Sequence, residues 1–466
     1  MSQQASTEPP TFLHTEEMSG TKGSGSLRRR FRFNVAATIV LLSTTLIFLQ
    51  LFGSFGVIKH HPKLTHPAVL QPQHLPCLSL PGAEDTVLVM KTGSTEVEAK
   101  LPAHLESTLR CFPNQLLFSD TAESFRGRDI IDALESVSPG IKEEHPDFEL
   151  YRRLREDGRP RLSSVELTGL TRNAGQESWI GHQENPGWKL DKWKFLPMIN
   201  TTFHNYPAQK WYVFIEADSH ILWASLLEYL ATLDETRPLY AGVKVFIDAI
   251  GFAHGGSGFI VSRPAMQLVV EHFNSHQLEF EDFTDHHWAG DCVLGKAFAD
   301  AGVPVSEAWP LLQGDPPGMV PYAGPDGRPM PFSDERIWCN KAVSYHHIDP
   351  STIGELWKFE QQWNGSLSHR EVFEHFILPR MKDVQTDWDN QSDSILGTAG
   401  SLEECRSRCE ETRGCLQYAF YEDGRCGHFE LPRLGAASNG LTSGWFVDRI
   451  QRFMSELPSC EMRIHG

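Results

Sequence analysis

Short apolar runs alternate with helical patterns along the chain after residue 85. The runs at residues 86–90, 115–119 and 211–215 have the length of buried strands, whereas residues 98–110 and 190–204 carry apolar positions at helical spacing. Strands that alternate with helices in this way indicate an α/β fold with a largely parallel sheet. We therefore expect one α/β domain over residues 85–382.

The N-terminal part of the chain contains a longer apolar run. Residues 33–58 carry no charged side chain, and a basic cluster at residues 28–32 precedes them. A helix of that length covers the ~30 Å hydrocarbon core of a bilayer, and the basic cluster is expected to stay cytosolic. We predict a cytosolic tail over residues 1–33 and a single transmembrane helix over residues 34–58.

A cleaved signal peptide is the alternative interpretation of this apolar run. Its hydrophobic region would extend over about 7–15 residues and end at a small-residue cleavage site. The run here is longer and has no such site. The anchor is favoured, and it places the remainder of the chain in the lumen of the Golgi or the endoplasmic reticulum as a single-pass, type II membrane protein.

Three further segments are expected around the α/β domain. Five prolines among residues 59–84 predict an extended stem. Residues 383–400 are polar and predict a linker, and residues 401–466 form a cysteine-rich module. Glycosylation sequons begin at Asn200, Asn364 and Asn390, and they support a lumenal location because such acceptors are used only in the secretory pathway.

The overall composition narrows the class of protein. Hydrophobic residues make up 40% of the chain and charged residues 22%, a balance typical of folded domains. With 42 basic and 60 acidic residues, the net charge is −18. A surface this acidic repels a phosphodiester backbone, so we expect no nucleic-acid partner.

An acidic motif follows the predicted strand at residues 211–215. Glu216 and Asp218 flank Ala217 at the point where the strand ends, and ligands of open α/β sheets bind at the carboxyl ends of strands. Two carboxylates there could hold Mg²⁺ or Mn²⁺ together with a nucleotide diphosphate. The alternative is a pair of ordinary capping acids before the next helix.

Three other motifs carry candidate site residues. The segment FAHGGSGFIVS contains glycines that allow a ligand to approach the backbone closely. Asp291 begins a predicted helix, where it is either an N-cap or a carboxylate presented to a cleft. The motif VSYHHIDP follows a short strand with two histidines, which are more often structural than ligating. The residues concerned are Gly255, Gly256, Ser257, Gly258, Asp291, His346 and His347.

The HGGSG sequence at His254 is similar to the oxyanion motif of α/β-hydrolases. Those enzymes also need a G-x-S-x-G nucleophile elbow. The chain contains no G-x-S-x-G sequence, so the hydrolase interpretation is disfavoured.

Taken in order, these motifs resemble those of the fringe-like β-1,3-glycosyltransferases of glycosyltransferase family 31. The similarity is greatest to core 1 galactosyltransferase-like proteins, including membrane-anchored fungal members. The motifs that carry it are the E-A-D after the W-Y-V strand, GGSGF-I-V-S, DCVLG and VSYHH-I-D-P. The segment AHLESTLRCFPNQLLFSD is similar to the family's first strand-helix-strand unit. The resemblance covers roughly residues 85–363 and implies a GT-A-like fold.

The resemblance also implies a set of metal ligands. Asp218 matches the last acid of the family's D-x-D motif, and Glu216 stands where the family has aspartate. His346 matches the family's histidine and would be a further ligand. Such a set of oxygen and nitrogen atoms suits Mn²⁺ better than Ca²⁺. Lys91, Thr92, Gly93, Asp120 and Ala217 are the candidate donor-binding residues, and the Gly255–Gly258 loop would contact donor or acceptor.

The implied reaction is an inverting transfer from a UDP-sugar to a hydroxyl group of a glycan or glycoprotein. The sugar would be a hexose of the galactose or N-acetylhexosamine class, transferred in β-1,3 linkage. Asp291 falls where the family has an acidic pair, with Gly290 in place of the first acid, and Asp291 would be the general base. The competing hypothesis is a lumenal binding protein that kept the fold, while the changed residues at 216 and 290 abolished turnover.

Four cysteines lie close together in the C-terminal module. Cys405, Cys409, Cys415 and Cys426 lack the paired spacing typical of zinc sites, and small lumenal domains commonly depend on disulfides. The pattern resembles a PAN/apple domain, an α+β module that binds protein or carbohydrate. Its nested pairing would join Cys405 to Cys426 and Cys409 to Cys415. Five cysteines remain, so at least one is unpaired or joins a second copy in a homo-oligomer.

Overall fold

The computed structural model describes residues 80–167, 186–322, 337–363 and 365–457. The predicted cytosolic tail, the predicted transmembrane helix at 34–58 and nearly all of the predicted stem lie outside these ranges. Within them, no helix is both long enough and apolar enough to span a bilayer.

The described residues form the following strands: β1 Thr86–Lys91, β2 Asn114–Ser119, β3 Glu123–Phe125, β4 Arg128–Asp132, β5 Trp211–Glu216, β6 His220–Ile221, β7 Tyr240–Gly242, β8 Lys244–Ile247, β9 Ile250–Ala253, β10 Phe259–Ser262, β11 Ser306–Glu307, β12 Ser344–Tyr345, β13 Val384–Asp389, β14 Ser394–Thr398, β15 Gln417–Phe420, β16 Arg425–Phe429 and β17 Ala436–Trp445.

The α-helices of the same residues are α1 Val97–Glu106, α2 Pro139–Glu144, α3 Glu149–Asp157, α4 Ser164–Leu167, α5 Pro186–Asn205, α6 Trp223–Leu230, α7 Arg263–Ser275, α8 Gln277–Asp285, α9 Gly290–Asp300, α10 Pro350–Gln361, α11 His369–Val372, α12 Leu402–Glu411 and α13 Val447–Glu456. Short 3₁₀ turns, among them Thr108–Arg110, and a π-helical turn at Phe373–Ile377 connect some of these elements.

An eight-stranded mixed sheet forms the centre of the N-terminal domain. Its strand order is β11-β7-β10-β5-β1-β2-β4-β3. The central strands β5, β1, β2 and β4 are parallel, whereas β10 runs antiparallel to β5 and β7. The predicted α/β class is confirmed as a mixed sheet flanked by helices.

Both faces of the central strands are buried, as expected for parallel strands covered by helices. Every residue of β1 is buried. Leu88 and Met90 pack towards α1 and α6 on one face, whereas Val87 and Val89 pack towards α5, α7 and α9 on the other. The period of two in β1 therefore divides its side chains between two hydrophobic cores.

The C-terminal module is a five-stranded antiparallel sheet with α12 packed on it. The strand order is β13-β17-β15-β16-β14. Disulfides join Cys405 to Cys426 and Cys409 to Cys415, which is the nested pairing that the resemblance implies. Cys111 and Cys339 are also disulfide-bonded, and Cys292 is a buried free thiol, in keeping with the expectation of an unpaired cysteine.

The predicted linker at residues 383–400 differs from the structure. β13 pairs with β17, and β14 pairs with β16, so this segment supplies both edge strands of the module. Its polar composition misled the prediction because edge strands are mostly exposed and need few apolar residues. The module therefore begins near residue 384.

The module shares a hydrophobic core with the preceding domain. Trp338 and Phe373 belong to the same buried cluster as Leu416, Trp445 and Ile450. The Gly435 N–H also donates to the Gly318 carbonyl at 2.7 Å. The two parts are consequently packed directly against each other.

The predicted glycosylation sites differ in accessibility. Asn390 is fully buried, and its amide nitrogen donates to the carbonyls of Tyr418 and Gly444. A glycan cannot be attached there without disrupting the sheet, so the prediction for Asn390 is wrong. Asn200 is half-buried on α5, and Asn364 lies outside the described residues.

Candidate active site

The acidic loop at residues 216–218 begins beside Lys91. The parallel register of β5 and β1 sets Glu216 opposite Lys91. The Lys91 ammonium lies 3.0 Å from Glu216 Oε1 and also pairs with Asp191 of α5. Burial disfavours the charge of Lys91, but the two carboxylates outweigh it and raise the pKa of this lysine. Glu216 is therefore bound by a lysine of the adjacent strand.

Asp218 and His346 are brought together by the two-stranded β6–β12 sheet. His220 of β6 is opposite Tyr345 of β12, so the flanking residues of both strands meet. Asp218 Oδ1 lies 3.3 Å from His346 Nε2. The Ile348 N–H donates to the Asp218 carbonyl at 2.8 Å and fixes the backbone of the acid.

Asp218, His346 and His347 together fit a divalent cation. One ligand atom from each of the three side chains lies within 4.8 Å of the others. His346 Nδ1 is buried and has no hydrogen-bond partner among the described residues. His347 has a φ of 55°, and such strained conformations are concentrated at functional sites. A carboxylate oxygen with two imidazole nitrogens suits Mn²⁺ better than Ca²⁺.

This arrangement differs from the predicted ligand set at one residue. The Glu216 carboxylate faces Lys91 and does not belong to the group that could hold a cation. His347 takes the place that Glu216 has in the prediction. The roles of Asp218 and His346 as metal ligands stay predictions that the geometry is compatible with.

Lys100 of α1 lies on the other side of Asp218. Its ammonium is 3.2 Å from Asp218 Oδ2 and 2.5 Å from Glu96 Oε2. Burial alone would raise the pKa of Asp218, but Lys100 and His346 hold it well below its usual range. Asp218 is therefore an anion with one oxygen towards Lys100 and the other towards the histidines.

The glycine-containing loop at residues 255–258 packs against this group. A Cβ atom at Gly256 would lie 2.0 Å from a carbon of the His346 ring, so only glycine fits there. The Ser219 hydroxyl donates to the Gly256 carbonyl at 2.6 Å, and the Ser344 hydroxyl donates to the Ser257 carbonyl at 2.6 Å. These two bonds fasten the loop to the segments that carry Asp218 and His346.

Asp291 reaches the same loop from the N-terminal turn of α9. Its Oδ2 accepts the Gly255 N–H at 3.0 Å, and its Oδ1 accepts the Cys292 N–H at 2.9 Å. Burial raises the pKa of Asp291 to about 6, and the nearby negative charge of Glu216 acts in the same direction. A carboxylate with this pKa is ionised at neutral pH and can accept a proton.

Gly290 is required by packing between α9 and α5. A Cβ atom at this position would lie 2.5 Å from the Phe195 ring and 2.7 Å from Lys192 Cα. An acid cannot occupy position 290 while these helices keep their distance. The departure from the family's acidic pair is therefore explained by helix packing and leaves Asp291 in place.

The remaining predicted donor-binding residues lie at the ends of β1 and β2. Asp120 is fully buried, lies 2.6 Å from the Lys194 ammonium and accepts the Ser94 N–H at 2.6 Å. Lys194 also donates to the Thr92 carbonyl at 2.9 Å, and Gly93 lies against Asp120. These contacts order the loop after β1, and nucleotide binding by its residues stays a prediction.

Sequence reasoning missed three charged residues at this site and named His347 as a candidate without assigning it to the metal. Lys100, Asp191 and Lys194 lie on helices and had no motif to mark them. His347 was visible in the His-His pair of VSYHHIDP, which was an available signal. The three helical residues could be found only from the packing of α1 and α5 against the ends of the strands.

A comparison with known proteins found a transferase that is similar to part of this chain. The β-1,3-glucosyltransferase of Mus musculus is 25% identical to this chain over 161 residues, which cover 33% of the chain and 29% of the mouse protein. About a third of the chain is therefore similar to part of a glycosyltransferase. The match spans less than a third of the relative's length, and no sequence-family model matches the chain.

Proposed function

We propose that this protein is an inverting, metal-dependent glycosyltransferase that transfers a hexose from a UDP-sugar to a hydroxyl group of a glycan or glycoprotein. The main support is the arrangement around the Gly255–Gly258 loop. One end of the loop contacts Asp291, and the adjacent Gly256 contacts His346 next to Asp218. The candidate base Asp291 and the candidate metal ligand His346 therefore contact consecutive residues of one loop.

Asp218, His346 and His347 would hold the metal, and the two imidazole nitrogens favour Mn²⁺ over Ca²⁺. A divalent cation held there would act as a Lewis acid towards the diphosphate leaving group. The side chains of Asp218 and Glu216 are 23% and 27% exposed, so a ligand can approach this loop from solvent.

Asp291 would act on the acceptor. Its carboxylate would take the proton from the acceptor hydroxyl while that oxygen attacks the anomeric carbon of the sugar. The Gly255 and Cys292 N–H groups orient both carboxylate oxygens. A single carboxylate suffices because the leaving diphosphate needs no proton from an acid.

Lys91 and Lys100 reduce the negative charge of the acidic loop. Each pairs with one carboxylate of the E-A-D motif, Lys91 with Glu216 and Lys100 with Asp218. Because Asp191 and Glu96 pair with the same two lysines, the loop keeps a net negative charge that favours a divalent cation.

The membrane location and the identity of the substrates belong to the same proposal. The apolar run at residues 34–58 would anchor the protein in the Golgi or endoplasmic reticulum membrane, with the domains in the lumen. The β-1,3 linkage is supported by the mouse relative's name. The C-terminal module would act as a PAN/apple-like domain that binds a glycan or glycoprotein acceptor, and the protein could form a homo-oligomer.

Incubation of the purified lumenal chain with a panel of UDP-sugars tests this proposal. We expect Mn²⁺-dependent release of UDP from one donor and loss of that activity in Asp218→Asn. Glu216→Gln is the matched control and should retain more activity, because Glu216 faces Lys91 and lies outside the candidate ligand group. Absence of UDP release from every donor, with and without Mn²⁺, would contradict the proposal.

A further inference from the structure

A chain of three buried polar side chains and a neighbouring glutamate lie behind the E-A-D loop. His104, Thr108, His220 and Glu360 are each at most 2% exposed. They come from α1, the 3₁₀ turn Thr108–Arg110, β6 and α10. None of them has a part in the proposed reaction, and buried polar groups are costly unless they are hydrogen-bonded.

The chain ends on the peptide group between Ala217 and Asp218. His104 Nε2 lies 2.8 Å from the Ala217 carbonyl, and His104 Nδ1 lies 3.4 Å from Thr108 Oγ1. Thr108 Oγ1 lies 3.5 Å from His220 Nδ1. His220 Nε2 lies 3.8 Å from Glu360 Oε2.

The donors and acceptors of this chain allow every hydrogen bond to be donated in the same direction, from His220 towards Ala217. A carbonyl only accepts, so His104 Nε2–H donates to Ala217, and Nδ1 of the neutral ring accepts from the Thr108 hydroxyl. The hydroxyl oxygen can then accept from His220 Nδ1–H. This assignment leaves His220 Nε2 as an acceptor that faces Glu360.

Glu360 lies beside the far end of the chain. Its Oε1 accepts the Ala224 N–H at 3.4 Å, whereas Oε2 and His220 Nε2 have no hydrogen-bond partner among the described residues. Burial raises the pKa of Glu360 well above its usual range. At 3.8 Å, Oε2 lies beyond hydrogen-bond distance of His220 Nε2, so Glu360 borders the chain without bonding to it.

We propose that His104, Thr108 and His220 are positioning residues that orient the Ala217 carbonyl and thereby hold Asp218 in the orientation needed to bind a cation. This inference rests on the proposed function, because it assigns Asp218 a role in binding a cation. The far end of the chain lies beside Glu360 of α10, the helix that follows His346 and His347 in the sequence. Partners behind ligating residues commonly change metal affinity by 10–100-fold when they are removed.

Mn²⁺ titration calorimetry on three variants tests the positioning role. His104→Phe removes the donor to Ala217 and should weaken Mn²⁺ binding about tenfold or more. His104→Gln retains an amide donor and should recover most of the affinity. The matched control is His276→Phe, because His276 Nδ1 likewise lies 2.9 Å from a backbone carbonyl, that of His272, at the junction of α7 and α8.

Thr108→Val and Thr108→Ser repeat the test one link further from the loop. Valine keeps the shape but removes the hydroxyl, so it should weaken Mn²⁺ binding, whereas serine should not. This pair also serves if His104→Phe fails to fold. Equal losses in His104→Phe and His276→Phe, or unchanged affinity in Thr108→Val, would overturn the proposal.

Nitrogen-15 NMR of the histidine side chains tests the chain without any metal. We expect a proton on Nε2 of His104 and on Nδ1 of His220, with the signals assigned from the His104→Gln and His220→Gln variants. If the wild-type protein binds no Mn²⁺, the proposed function fails, but these tautomers still decide whether the chain exists. The opposite tautomer at His104 would overturn the inference by itself.

Discussion

The pKa of Asp291 depends on the position of this residue at the start of α9. The side chain is buried, which disfavours the carboxylate, while two backbone N–H groups and the N-terminal end of the helix stabilise it. The balance raises the pKa of Asp291 to about 6. A more exposed aspartate would be ionised at lower pH but would be a weaker base.

The pH dependence of transfer follows from this pKa. Because Asp291 must be deprotonated to accept a proton, the rate should rise with pH through about 6 and level off above it, with about one tenth of the maximal rate at pH 5. Asp291→Asn should lower kcat by about 10²–10⁴-fold. The measurement is the pH profile of kcat, and an unchanged kcat in Asp291→Asn would reject the base role.

The packing at Gly290 predicts what happens when an acid is placed at this position, as in the family that the motifs resemble. Gly290→Asp should destabilise the protein by about 1–3 kcal/mol or more, because its Cβ would collide with Phe195 and the backbone of Lys192. Gly354→Ala on α10 is the matched control, since open space surrounds that position, and it should be neutral or stabilising by up to about 1 kcal/mol. Thermal unfolding of both variants provides the comparison.

A gain of activity without loss of stability in Gly290→Asp would contradict the packing argument. That result would mean that α5 and α9 can separate, and that the missing acid limits turnover. The non-catalytic hypothesis would then gain support for the natural sequence.

The strands and helices show which features a sequence can predict. The apolar run before Glu216 predicted β5 correctly, and the strand-helix alternation predicted the class of sheet. In contrast, β6 and β12 each contain only two residues, which is too short for a periodic pattern. Their pairing joins Asp218 to His346, so the geometry of the candidate site could not be derived from local patterns alone.

The cysteine module shows the opposite case. The disulfide pairing in the structure is the one that a family resemblance implied, whereas the order of the strands had no signal in the sequence. β13 and β14 are polar edge strands whose partners lie far along the chain. Long-range pairing of this kind is decided by tertiary contacts and is weakly encoded in propensity.

The two parts of the described chain should unfold together. Because Trp445 of the module is buried in the cluster that also contains Trp338 and Phe373, Trp445→Ala should cost about 3–5 kcal/mol. The substitution should also lower the midpoint temperature of a single unfolding transition. Ile395→Ala is the control from the same sheet, since its side chain is 47% exposed, and it should change stability little.

Differential scanning calorimetry distinguishes this expectation from independent domains. Two separate transitions, with only one of them shifted by Trp445→Ala, would contradict the shared core. A single transition would mean that the module unfolds together with the preceding domain.

The central claim is that Asp218 forms a cation-dependent nucleotide site, and titration calorimetry with UDP tests it most directly. We predict UDP binding in the presence of Mn²⁺, little binding in the presence of EDTA, and at least a tenfold loss of affinity in Asp218→Asn. Asp349→Asn is the control because Asp349 caps α10 close to the candidate histidines. UDP affinity that is the same with EDTA, or unchanged in Asp218→Asn, would contradict the account.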